Sequence, residues 1–259
     1  MIKINKQNMF LERENAHPRD TRIKFFEKGH KYEIDGEGGY TSVTTFNHKQ
    51  FEKFNPDKII TNMMKSKKWP QSKYFGMTRA EIKKQWNDNG KEASEAGTKL
   101  HNDIELWYNK EPVTNDSIEY KYFEEFKNDY PHLEAYRTEW FVFDEEHKLA
   151  GSIDMCFHNT KTGKLDIYDW KRSKEIKKND TYMKFSKTEC ISHIPDLNFW
   201  HYSLQLNTYK WILEKNYGKE INDMYLVCLH PNHKNYILFK VPNLQREVKE
   251  LMKTIKCSM

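Results

Sequence analysis

Cysteine is scarce. Four residues, at positions 156, 190, 228 and 257 of 259, lie apart with no close pair. That spacing excludes a zinc-ribbon pattern and a disulfide framework, and it suits a reducing compartment. Long apolar runs are also missing, so no membrane span is expected. The first 20 residues carry Glu12, Glu14 and Asp20 around no apolar core. They resemble neither a secretory signal nor a mitochondrial transit peptide. The expectation is an intracellular protein of the cytoplasm or nucleus, cellular or viral in origin. Neither internal repeats nor low-complexity tracts are found beyond a bias to Lys and Asn. Only 37% of residues are hydrophobic, but 14% are aromatic, and aromatic side chains bury enough area for a core. The net charge of +5, from 43 basic and 38 acidic residues, permits a polyanionic partner without requiring one.

The most informative stretch is residues 149–174. Two segments rich in Ile, Tyr, Phe and Trp alternate in the β manner around a turn at Asn159 to Gly163. A hairpin centred near Lys161 and Thr162 sets Asp154 opposite Asp169. Asp169 and Lys171, two apart, share one face of their strand. Two carboxylates and a lysine at one end of a sheet are the minimum for holding a hard divalent cation beside a phosphodiester. Asp-x-Lys is also common on solvated strands as a weak surface pair, so the rest of the chain has to decide.

Residues 1–20 read as a loosely held polar tail and 22–34 as a hairpin. Tyr40 to Phe46 reads as a short β segment running into a helix cap. Residues 50–90 read as helical, basic and aromatic. Thr78 and Glu81 form a capping box there. Basic residues interleaved with rings suit a single nucleic-acid strand as well as an ordinary solvated helix pair. Residues 91–108 read as a helix with Ala93, Ala96, Gly97, Leu100, Ile104 and Trp107 as its buried stripe. His101 and Glu105 project the same way, one turn apart. A helix from Asp116 to Tyr130, a strand from Tyr136 to Phe143 and a turn over Glu145 to Lys148 lead into the central hairpin. Beyond Lys171 lies a basic stretch with Arg172, Lys174, Lys177 and Lys178. A run of this kind attracts phosphate or is simply a solvated loop. Asp196 is the expected cap of a helix reaching Tyr217, with Gln205 and Tyr209 one turn apart beside its core stripe. Two strands and a final amphipathic helix complete the chain.

Helix, three strands, helix, strand, with carboxylates on the second and third strands, resembles the core of the PD-(D/E)xK nuclease superfamily. The closer resemblance is to its RecB-type branch, which includes lambda-type, CRISPR-associated and mitochondrial genome maintenance exonucleases. Gly97 to Glu105 is similar to the branch's G-x-x-x-H-x-x-x-E helix. Gly151 to Asp154 is similar to its G-x-x-D strand, Asp169-Trp170-Lys171 to its D-x-K strand, and Gln205 to Tyr209 to its Q-x-x-x-Y helix. Tyr40 to Thr45 resembles the S-V-T segment that opens many members. The matched region spans most of residues 40–217.

The resemblance implies an α/β (α+β) fold with a restriction-endonuclease-like αβββαβ core, its mixed sheet flanked by helices, and an added helical N-terminal region. One structural domain is expected, with a tail and hairpin over 1–48, an insertion over 49–90 that could bridge DNA, and the nuclease core over 91–259. It implies a metal-dependent DNA exonuclease acting on ends in replication, recombination or repair. His101, Asp154 and Asp169 would hold Mg²⁺ or Mn²⁺, with Glu105 serving a second ion or an ion-bound water. Lys171 would orient or deprotonate the attacking water and neutralise charge. Gln205, Tyr209, Arg172, Lys174, Ser42 and Thr44 would contact the nucleic acid. Several members hold an iron–sulfur cluster, but no cysteine precedes residue 156 and none are grouped, so none is expected here. A restriction-type endonuclease and a catalytically silent DNA-binding module of the same fold remain alternatives.

Overall fold

The computed structural model describes residues 9–256. The first eight residues of the polar tail and Cys257 lie outside the described residues. In chain order the elements are helix α1 (Phe10–Glu14), strands β1 (Ile23–Phe26), β2 (Lys31–Ile34) and β3 (Thr41–Ser42), and helices α2 (Val43–His48), α3 (Pro56–Lys65), α4 (Arg79–Tyr108) and α5 (Ile118–Asp129). Strands β4 (Leu133–Asp144), β5 (Leu149–Asn159) and β6 (Lys164–Lys171), helix α6 (Asn198–Asn216), strands β7 (Ile221–Cys228) and β8 (Ile237–Lys240) and helix α7 (Gln245–Lys256) follow.

The fold is mixed α+β. β4 and β5 are antiparallel, β5 and β6 antiparallel, β6 and β7 parallel, and β7 and β8 antiparallel, so the central sheet is mixed. β3 adds two parallel residues to β5 at Leu149 and Ala150. β1 and β2 form a separate hairpin. β6 is buried from Leu165 to Trp170, as expected of a strand covered on both faces. Leu165 and Ile167 enter one core with α6, while Tyr168 and Trp170 enter another with Leu100, Ile104, Phe123 and Phe126 of α4 and α5. α6 is buried on more than one face. Leu206, Ile212 and Leu213 meet the sheet, and Leu204 meets α7 residues Val248 and Leu251. A helix buried on opposite faces has little amphipathic contrast. Among the described residues no helix is long and apolar enough to cross a membrane.

Four sequence expectations need correction. Residues 9–20 are docked rather than loose. Leu11 is 4% exposed, and Asp20 accepts from Arg137 Nη1 at 2.7 Å and Trp140 Nε1 at 3.0 Å. Such long-range polar anchors leave no periodicity to read. Second, α4 starts at its Thr78–Glu81 capping box and runs unbroken through Gly90 for 30 residues, so no element ends near position 90. Third, Ala93 and Trp107 are exposed, and Leu100 and Ile104 carry the buried face of α4. Ala93 belongs to a length of helix that projects from the body together with α3, with Ile60 and Ile82 as its fully buried apolar side chains. Fourth, α6 is capped by Leu197 without a side-chain bond, because Asp196 instead holds His201 Nε2 at 2.8 Å.

Candidate metal centre

β5 and β6 pair from Asn159↔Lys164 up to Met155↔Tyr168 and then part. Where the ladder ends, the Asp154 side chain replaces it: Oδ2 accepts the Trp170 backbone N–H at 3.0 Å. The parting strands thus aim Asp154 and Asp169 into one space. His101 enters it from α4, with Nδ1 3.4 Å from Asp154 Oδ2. It also hydrogen-bonds the Trp170 backbone, the kind of second contact that fixes the orientation of a ligating imidazole. Lys171 closes the far side, its Nζ 2.6 Å from Asp169 Oδ2 and 4.5 Å from the centre of the Tyr202 ring.

A residue that the motifs did not single out joins the group. Glu139 lies on β4 between the Thr138↔Met155 and Trp140↔Ile153 pairs, hence across from Asp154. Its φ of 42° is unusual for a side-chain-bearing residue, and such strain concentrates at functional sites. Ser152 Oγ donates to Glu139 Oε2 at 2.7 Å. Ligand atoms of His101, Glu139 and Asp154 all lie within 4.8 Å of one another. The sequence did hold a signal for Glu139. The register of the hairpin around Glu145 to Lys148, continued along both strands, sets 139 opposite 154.

The electrostatics fit a cation. Burial pushes the Asp154 carboxyl well above the usual carboxylate range, and Asp169 and Glu105 push it further. Burial raises Glu139 likewise, reinforced by Asp154 and Glu105. Two carboxylates about 4 Å apart repel by about 4 kcal/mol at an effective dielectric of 20, more than a typical hydrogen bond returns. Burial lowers His101, although Glu139 opposes it, so the imidazole is neutral with a lone pair to offer. Burial alone would lower Lys171, but Asp169 and Asp154 outweigh it and hold the ammonium charged. Asp169 Oδ2 is buried and, despite the nearby lysine, lacks a well-directed hydrogen bond. An imidazole grouped with carboxylates in this way could hold a divalent metal ion.

Of the sequence-predicted residues, His101, Asp154, Asp169 and Lys171 converge here. Glu105, buried at 5% exposure, shares a cleft of about 210 Å³ with Glu139 and Ser152. Tyr209 is buried against Gly151 and interacts with Gln205. Arg172 is committed to Glu119, Nε to Oε1 at 2.7 Å, and Lys174 is exposed in the following loop. Ser42 Oγ caps α2 by accepting from Thr45 N at 3.1 Å, and Thr44 is exposed. Tyr202, beneath Lys171, lacked a motif to mark it.

No family model and no curated protein matches the chain. Among solved structures, one described as the crystal structure of SSO0001 aligns at 15% identity and a TM-score of 0.29, over 54% of this chain and 57% of its own. The chain therefore spans little more than half the length of that structure.

Proposed function

We propose that this protein is a metal-dependent deoxyribonuclease of the RecB-type PD-(D/E)xK kind, acting as an exonuclease on DNA ends in replication, recombination or repair. The observation that carries the reading is convergence. His101, Asp154, Asp169 and Lys171 come from three separate motifs, and with Glu139 they meet in one space. The order α4 and α5, β4, β5, β6, α6, β7 supports the same core.

His101, Glu139, Asp154 and Asp169 would hold Mg²⁺ or Mn²⁺. A bound divalent ion supplies polarisation of the scissile phosphate and a more acidic water. Lys171, held protonated by Asp169 and Asp154, suits neutralising charge on the phosphate and orienting the water better than removing its proton. Glu105, whose charge raises both Glu139 and Asp154, would act on an ion-bound water. Tyr209 and Gln205 position the strand that carries Asp154 and the nucleic-acid backbone. The projecting helices, with Phe54 and Phe75 exposed among Lys65, Lys67, Lys68 and Lys73, suit contact with a single strand through charge and ring stacking.

End-labelled single- and double-stranded oligonucleotides, each end blocked in turn, test the reading in Mg²⁺ and Mn²⁺. Degradation that requires a free end and is lost in Asp169→Ala and Lys171→Ala is expected. Full activity in either variant would refute the site. Equal cutting of a covalently closed circle would make the enzyme an endonuclease.

A further inference from the structure

We infer that the DNA strand lies to one side of the metal centre only, in a basic, aromatic cleft between α2, the start of the helical projection and α6. The inference deepens the nuclease reading and rests on it. Two clefts differ in charge, one lined by β4 and Ser152 of β5, the other by α2, the segment after it and His201 of α6. On the β4 side, the cleft of about 210 Å³ is lined by Glu12, Glu27, Glu105 and Glu139. Its guanidinium, Arg137, is already bound to Asp20. Continuing phosphates are repelled there. On the α2 side, a cleft of about 620 Å³ carries Lys49, Lys53 and Lys187 with Phe54 and His201, against the single carboxylate of Glu52.

Those three lysines are exposed. Among the described residues no carboxylate stands within ion-pair distance of them, whereas Lys99 and Lys171 each have one and Lys215 has two. Phe54 is 66% exposed, with its ring 6.1 Å from that of Trp86. The Phe51 ring braces His201 at 4.0 Å. Unpaired lysines beside a presented ring are the means by which proteins follow a single strand without reading its sequence.

α6 joins this cleft to the metal centre. His201, Gln205 and Tyr209 follow one another at intervals of four along one helix face. Tyr209 touches Gly151, three residues before Asp154. From His201 to Tyr209 the helix rises about 12 Å, more than the spacing of about 3.4 Å between neighbouring phosphates of a stacked strand. A strand must therefore be longer than one nucleotide to reach both.

The test is binding of a labelled deoxythymidylate dodecamer in EDTA, read by fluorescence anisotropy over a range of salt. The variant combining Lys49→Glu, Lys53→Glu and Lys187→Glu is expected to bind at least about tenfold more weakly, its log affinity against log salt losing about 2 from the slope, as three lost phosphate contacts require. Reversal at the remote Lys121 and Lys161 is expected to change neither. Triple-variant binding within twofold of wild type at an unchanged slope would overturn the inference, as would no binding by wild type or equal weakening by the remote pair. If circular dichroism shows the triple variant unfolded, Lys53→Glu alone carries the test. About threefold weakening is then expected, and none would overturn the inference. Wild type that binds the dodecamer but never cleaves end-labelled DNA refutes the nuclease reading instead. Cleavage by wild type with normal binding by the triple variant refutes only the cleft.

Discussion

A Cβ at Gly151 would stand 2.8 Å from both Cε1 and the hydroxyl oxygen of Tyr209. The glycine is there because the tyrosine ring lies against its backbone, not because the turn chemistry needs it. Gly151→Ala must push the ring away, and overpacking of this sort costs about 1–3 kcal/mol. DNA cleavage is expected to fall by more than tenfold while thermal unfolding stays cooperative. Gly151→Ala combined with Tyr209→Ala should be less damaging than the two single changes summed, since the clash is then gone. Strict additivity in the cycle would show that the contact does not matter.

Glu139→Gln removes a charged donor from the cation site while keeping its shape and its contact to Ser152. Mn²⁺ affinity by titration calorimetry is expected to drop at least about tenfold, the scale seen when metal-site partners are lost. An unchanged affinity would remove Glu139 from the site.

Without metal, the raised carboxyl of Asp154 makes the centre a source of instability. A carboxyl whose folded value lies above its unfolded one binds more protons folded than unfolded as pH rises past the ordinary carboxylate range, so stability falls over that interval. Burial and Asp169 are the causes here. In EDTA at neutral pH, Asp154→Asn is therefore expected to melt at least about 2 °C higher than wild type, with the gap closing in acid, while losing nuclease activity. A lower melting temperature for the variant would contradict the crowding.

Asp144 behaves in the opposite sense. Burial would raise its carboxyl, but hydrogen bonds with Asn216, His147 and Lys215 outweigh burial and lower it. The stabilisation is present above the unfolded value, about 3.9, and is lost as pH falls through the folded value. Urea unfolding below about pH 4 should be steeper in pH for wild type than for Asp144→Asn. Parallel curves would show that Asp144 does not couple folding to acid.

The hairpins, the capping box at Thr78 and Glu81 and the placing of Asp154 across from Asp169 were legible because turn residues and alternation are local. The docking of residues 9–20 was not, since Asp20 finds Arg137 and Trp140 about 120 positions away. The continuity of α4 across position 90 was not legible, because solvated helix has no buried stripe to follow. Within the site, motifs reach the residues that recur at fixed spacing. Glu139 and Tyr202 belong to no such pattern and emerge only from register and from the packing of α6 over Lys171.

The most direct measurement is an anomalous difference map from crystals grown with Mn²⁺. A peak within about 2.5 Å of His101 and of the Asp154 and Asp169 carboxylates, with Glu139 bound directly or through water, is expected. A map with no manganese among these four side chains, or with the ion bound elsewhere, would contradict the metal centre and the chemistry built on it.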